Sequence, residues 1–414
     1  MKDELCRLSA EETAALIRKK QISPVEVVVA TLERIERLNP ELNAFCTVAA
    51  ESARKEAMAA EKAVMRSGAE LGPLHGIPFS VKDLLATKGV RTTWGSKIYA
   101  GDIPDEDAPA VGRMRKAGAI MIGKTNTPEF GWLGVTHNRL FGITRNPWNP
   151  EMTSGGSSGG AAAAVASGMG PIALGSDVGG SIRIPASFCG IFGFKPSYGR
   201  VPIYPHGTYW SMAHVGPMTR TVRDAALMMN VLAGPDERDQ YSLPDDGTDY
   251  VKESGLDLKG LKMAWSPALG RSVVDSEVKT LCENAAMRFS EFGCEVEAVD
   301  PKWPDPHCIW STLFYGGCAA RAAPLLEDHR QDLEPGLVHM TEEIMRWPSG
   351  KHIRACGNRP TFYDSTRKFF SIYGLLLAPT VICPPFDAGL EHPREVAGRT
   401  LEPYRWLSAT YPLI

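Results

Sequence analysis

No two cysteines of this sequence stand at CxxC spacing, and the nine it has are scattered from Cys6 to Cys383. An odd number so dispersed argues against a disulfide frame or a zinc site and fits reduced thiols in a cytosolic chain. Long apolar runs are missing too. The nearest approach, 375–386, is short and broken by prolines, well below the roughly 18 residues that suggest a membrane span. The opening MKDELCRLSAEETAALI mixes charges into its first apolar residues, which is not the pattern of a secretory signal. Nor does one sign of charge dominate: 45 basic and 48 acidic residues leave a net charge of −3, so neither nucleic acid nor an anionic membrane is suggested as a partner. There is no internal repeat and no low-complexity tract beyond a few Gly-Ser turns. A soluble, cytoplasmic protein with an ordinary composition, 43% hydrophobic and 22% charged, is the expectation.

What the sequence does have is concentrated in residues 153–190. Two Gly-Gly-Ser turns, Gly155-Gly156-Ser157 and Gly179-Gly180-Ser181, flank an Ala-rich helix predicted over 161–167 and an apolar strand predicted over 171–176. Glycine accepts positive φ and has no Cβ, so successive backbone N–H groups can converge on one point. A serine at the end of such a turn has its hydroxyl beside those donors, which is what acyl transfer requires of a nucleophile and its oxyanion hole.

The remainder reads as scaffold. Ser9 with Glu12 and Ser23 with Glu26 form capping boxes, the second followed by Pro24 at the first helical position. Apolar residues at helical spacing predict a helix over 24–38, and further helices follow over 49–67, 107–117 and 221–232. Strands are predicted over 43–48, 77–81, 119–122 and 373–382, and a strand–helix–strand unit over 261–299. Residues 305–371 are mainly helical patterns interrupted by prolines. At the end of the 77–81 strand stands Lys82, either a salt-bridge partner of Asp83 or a catalytic amine. Gly118 to Thr125 matches the phosphate-loop pattern G-x-x-x-x-G-K-[ST], but its middle residues are themselves strand-like and Pro128 follows too soon for a helix to open. Tyr204, Tyr209 and Trp210 sit in a loop-rich aromatic segment suited to a substrate wall.

Three phrases in this order, GIPFSVKD around Lys82, GGSSGG from Gly155 and GSDVGGSIRIPASFCG around Ser181, resemble the amidase signature family of serine amidohydrolases. The resemblance is dense over about 71–221 and weaker from the first helix to about Pro385. It implies Ser181 as nucleophile, Ser157 as a bridging serine on a cis Gly156–Ser157 peptide, and Lys82 as general base. A lysine works as a base near neutrality only if burial or a nearby cation lowers its pKa, and an apolar strand end under a Gly-rich loop could do so. The backbone N–H groups of Val178, Gly179, Gly180 and Ser181 are the oxyanion-hole candidates. Ser158 and Ser176 have supporting places, with capping of the Ala-rich helix the plain alternative for Ser157 and Ser158. Asp177 and Arg183 are expected to pair and hold the loop. Cys189, His75 and His214 read as packing or structural residues.

The implied fold is α/β, an α/β/α sandwich with a large mixed central sheet and an added mainly helical region. Its parts are expected at 1–70 (helices packed on the core), 71–300 (the signature core), 301–372 (mainly helical) and 373–414 (return to the core). Family chains normally continue beyond the strand near Leu377 with further central strands. A chain without them is expected to be poorly stable unless a partner, such as a second copy in a homodimer, covers the gap. The implied activity is hydrolysis of a small-molecule amide with no cofactor and no metal. A glutaminase subunit of a tRNA-dependent amidotransferase is the alternative, disfavoured because Ile184 stands where such subunits resemble a glutamine. A non-catalytic relative and a nucleotide-binding protein complete the set.

Overall fold

The computed structural model describes every residue except 1, 67, 69, 210, 271, 272 and 414. Six strands form its central sheet: β1 (Phe45–Val48), β2 (Pro78–Lys82), β3 (Ile120–Thr125), β4 (Ile172–Asp177), β5 (Phe192–Gly193) and β6 (His214–Thr219). Their order is β1-β3-β2-β4-β6-β5. β2 runs parallel to both β3 and β4, whereas β1 and β6 join antiparallel, so the sheet is mixed. Every residue of β2 and β3 is buried, as strands covered on both faces must be. Side chains alternate between the two faces. Phe79, Val81, Met121 and Leu174 enter one core with Ile17, Val111, Met114 and Met228. Ile120 and Ile122 enter another with Val28, Leu32, Ala163 and Ala164, and Ala173 and Met218 pack on Ala161, Ala162 and Val165. The result is the expected helix–sheet–helix sandwich.

Both capping boxes form, Ser9 with Glu12 and Ser23 with Glu26. The helix begun at Pro24 runs through Pro40 to Leu42 and ends on Asn43 in the left-handed region, four residues beyond the periodic pattern. The strand–helix–strand unit also forms. β7 (Lys262–Trp265), β8 (Glu295–Ala298) and β9 (Leu375–Leu377) make a separate parallel sheet in the order β8-β7-β9. Only three residues of the strand predicted over 373–382 pair in this sheet. Pro379, Pro384 and Pro385 lack the amide a ladder needs, and Val381, Ile382 and Cys383 turn into a hydrophobic cluster instead.

That cluster ties the helices His307–Ala322 and Pro335–Met345 to the last residues of the chain. Trp406 stacks on Phe188 with ring centroids 6.3 Å apart and meets Phe386 edge-on at 5.4 Å, while Tyr411 stacks on Trp310 at 4.7 Å. All nine cysteines are free. Among the described residues no helix is long and apolar enough to cross a membrane.

Candidate active site

Parallel strands β2 and β4 end side by side at the same rim of the sheet, where open α/β folds place their ligands. Lys82 is the last residue of β2 and Asp177 the last of β4. The Lys82 side chain is fully buried, with Nζ 2.7 Å from Ser157 Oγ and 3.3 Å from the Ser176 carbonyl. Burial lowers its pKa to about 7, against the opposing pull of the Asp177 carboxylate. The Gly156–Ser157 peptide is cis, as the resemblance implies, and a Cβ on Gly156 would stand 2.3 Å from the Val135 carbonyl oxygen. Only glycine fits there. Ser158 joins the two serine turns: its N–H donates to the Ser181 carbonyl at 3.1 Å and its hydroxyl to the Ser176 carbonyl at 3.2 Å.

The turn 178–181 is held from below by Asp177. Arg183 forks onto both of its oxygens at 3.0 Å, and the amides of Gly180 and Ile182 donate to them at 2.7 and 3.1 Å. Burial alone would raise the pKa of this carboxyl; the Arg183 guanidinium outweighs burial and holds it below the ordinary carboxylate range. The expected pairing of Asp177 with Arg183 is therefore present. One oxyanion-hole expectation needs correction. The Gly180 N–H points to Asp177 rather than to the cavity, because a fully buried carboxylate requires donors of its own. Val178, Gly179 and Ser181 are the candidates that remain.

Two supports of this turn were invisible to sequence reasoning. Trp310 Nε1 donates to the Val178 carbonyl at 3.1 Å, and Thr410 Oγ1 to the Gly179 carbonyl at 2.6 Å. Arg183 also donates to the Thr410 carbonyl at 2.9 Å. Gly180, at φ +129°, would bring a Cβ within 2.5 Å of Thr410 Oγ1. Residues from the helical region and the final turns thus press on the glycines beside Ser181.

Ser157, Ser176, Val178 and Ser181 share one cavity of about 310 Å³. Leu84, Trp94, Phe130 and Phe314 make its wall largely apolar, and Tyr204 and Tyr209 line it as expected. Tyr209 stacks on Phe314, centroids 5.5 Å apart, and its hydroxyl donates to Cys318 Sγ at 2.9 Å. Tyr204 precedes a cis Pro205 that sequence reasoning did not anticipate. Trp210 lies outside the described residues. His214 lines the cavity too, opposite Asp177 in the β4–β6 register, and burial lowers its pKa to about 4, which keeps the imidazole neutral near pH 7. Trp94, Phe130, Phe314 and Arg321 were missed; they come from separate segments and share no local pattern.

The phosphate-loop match fails on geometry. Ile120 to Thr125 are paired inside the sheet as β3, and Lys124 Nζ is spent on the Leu85 carbonyl at 2.6 Å and the hydroxyls of Thr87 and Thr92 at 2.8 Å each. No donor of that lysine is left for a phosphate, so the nucleotide-binding alternative is withdrawn.

A serine hydroxyl against a buried, near-neutral amine, with a second serine on a Gly-rich turn in the same cavity, has the outline of a serine hydrolase whose base is lysine. The family model described as Amidase matches residues 26–413, and the chain belongs to the amidase signature family. It is 40% identical to an acylamidase of Rhodococcus erythropolis over 410 residues, covering 98% of this chain and 86% of that one. With one of the polypeptides of the glutamyl-tRNA(Gln) amidotransferase of Desulforapulum autotrophicum it is 46% identical over 318 residues, which make up 75% of this chain but only 64% of that polypeptide. Its structure superposes on that of a bacterial aryl acylamidase of the same family with a TM-score of 0.91 and 34% identity, covering 98% of this chain and 86% of the other.

Proposed function

We propose that the protein is an amidase that splits a carboxylic amide into an acid and ammonia or an amine through an ester formed on Ser181. The observation that carries this reading is the buried Lys82 amine, at about pKa 7, 2.7 Å from Ser157 Oγ. Near pH 7 about half of such a group is unprotonated and able to act as a base. Neutral Lys82 takes the hydroxyl proton of Ser157, Ser157 takes that of Ser181, and Ser181 Oγ bonds to the amide carbon. The carbonyl oxygen, now negative, is received by the N–H groups of Val178, Gly179 and Ser181. Collapse breaks the C–N bond, and the proton returns from Lys82 through Ser157 to the leaving nitrogen. Water then attacks the acyl ester by the same relay and frees Ser181. In this reading Ser158, Ser176, Asp177 and Arg183 hold the two turns in register.

The relatives named acylamidase and aryl acylamidase support amide hydrolysis, and the apolar wall suits a substrate with an aliphatic or aryl body. The same wall suits the polar side chain of glutamine poorly, which sets the glutaminase alternative behind. Nine free thiols favour a reducing compartment, and we assign the enzyme to the cytoplasm. The test is intact-mass spectrometry after exposure to a fluorophosphonate. One adduct on the wild type is expected, absent from Ser181→Ala and formed more slowly by Lys82→Ala. A folded wild type that takes up no adduct would overturn the reading.

A further inference from the structure

Arg321 stands in the last turn of the helix His307–Ala322 and lines the same cavity as Ser157 and Ser181. Its guanidinium carbon lies 5.4 Å from the ring centroid of Trp94, 5.3 Å from that of Tyr99 and 5.1 Å from that of Phe130. Among the described residues, none accepts a hydrogen bond from this guanidinium and no acid pairs with it. Other partly buried arginines differ in this respect. Arg113 donates to the carbonyls of Leu232, Ala233, Gly234 and Pro235, and Arg220 to those of Leu8, Val165 and Gly170.

The three rings answer part of the charge through their quadrupoles, but they supply no oxygen to the five N–H donors of the guanidinium. A cation with unspent donors in an apolar-walled cavity is matched best by a planar oxyanion, which a guanidinium grips with two parallel hydrogen bonds. The rings have a second effect. By packing around the guanidinium they limit the rotamers it can take, so little order remains to be imposed when an anion arrives.

We propose that Arg321 sets the specificity of the cavity, and that the substrate is an amide whose apolar or aryl body carries a carboxylate remote from the scissile bond. The proposal rests on the amidase reading for its chemistry, though not for its binding. It gives one cavity two polar features on a largely apolar lining: the reacting serines Ser157 and Ser181, and an anion-binding Arg321 packed against Trp94 and Phe130.

The test uses the monoanilides of succinic, glutaric and adipic acid, each against its own methyl ester, so that chain length cannot hide a preference. The wild type should favour the acid over the ester in kcat/KM by about 10- to 100-fold at one length or more, the worth of a charge-assisted hydrogen bond. Arg321→Met should bring that ratio to about one, and Arg321→Lys should restore part of it. If Arg321 only holds the helix to the aromatic loops, Arg321→Met lowers acid and ester equally; that outcome, or a wild-type ratio near one at all three lengths, overturns the proposal. Binding of the same acids to Ser181→Ala by calorimetry separates the two readings. Tight acid binding that weakens about tenfold or more with Arg321→Met, beside a wild type that hydrolyses none of the anilides, keeps Arg321 and removes the amidase. Hydrolysis of acid and ester alike keeps the amidase and removes Arg321.

Discussion

Two lysines stand at the ends of neighbouring parallel strands of one sheet, both fully buried, and they have opposite fates. Lys82 on β2 has one hydroxyl at 2.7 Å and one carbonyl at 3.3 Å; burial brings its pKa to about 7. Lys124 on β3 has three oxygens within 2.8 Å and the Asp83 carboxylate at 3.9 Å. Burial lowers its pKa only to about 8, because Asp83 and Cys46 favour the charged form. Asp83, itself pushed upward by burial, is tied to Thr93 through both its hydroxyl and its amide. Burial makes an amine reactive only when its donors are left underused and a cavity lies next to it. A saturated amine in the same sheet is a structural pin.

The comparison breaks if the two methionine substitutions behave alike. Lys82→Met should lower kcat/KM by about 10² to 10⁴-fold with no loss of stability, since it removes a desolvated amine with few partners. Lys124→Met should instead cost about 3 to 5 kcal/mol in urea unfolding, because the Asp83 charge and three buried oxygens lose their partner. Unfolding midpoints that fall together, or an active Lys82→Met, would show that the partner sets do not divide the roles.

A pH series sharpens the same contrast. In the proposed reaction Lys82 must be neutral to act, so kcat/KM should rise with pH up to about 7 and level off above it. The stability effect has a wider window. The unfolded chain keeps the lysine proton up to about 10.4, whereas folded Lys82 releases it near 7, so over that interval the unfolded state binds more protons and stability rises with pH. The wild type should therefore gain on Lys82→Met as pH climbs from about 7 to 10, and a stability difference independent of pH would contradict burial as the cause. The smallest effect expected is that of Thr410→Val, which removes the hydrogen bond to the Gly179 carbonyl. A loss of about 0.5 to 1.5 kcal/mol, with a fall in kcat/KM larger than any change in KM, would show that the final turns position the glycine loop; unchanged kcat would leave Thr410 as packing alone.

The sandwich was legible in the sequence wherever local pattern and tertiary role coincide. Capping boxes are made by residues three apart, and the buried strands predicted over 77–81 and 119–122 read as apolar runs because both faces are covered. Where role depends on remote partners the reading failed. The phosphate-loop match at Gly118 to Thr125 was set aside on its strand-like residues, and a strand it is, but nothing local showed that its lysine is claimed by Leu85, Thr87 and Thr92. The Gly180 amide looked available until the Asp177 carboxylate was found beneath it. Arg321 carries no signal at all, since an arginine near a helix end usually faces water, and the short turns after Arg405 have no periodicity to mark them as support for the turn 178–181.

The sequence by itself pointed to the residues proposed for the chemistry: Ser157 and Ser181 stand in turns whose glycines permit backbone geometry that other residues forbid, Lys82 closes a buried apolar strand, and both signals are local. Only the tertiary structure decided which buried lysine meets Ser157, which amide of 178–181 is taken by Asp177, and which cation lines the cavity without an acid beside it. Each of those depends on groups brought together from segments far apart in the chain, where distance and burial, rather than spacing along the sequence, set the energies.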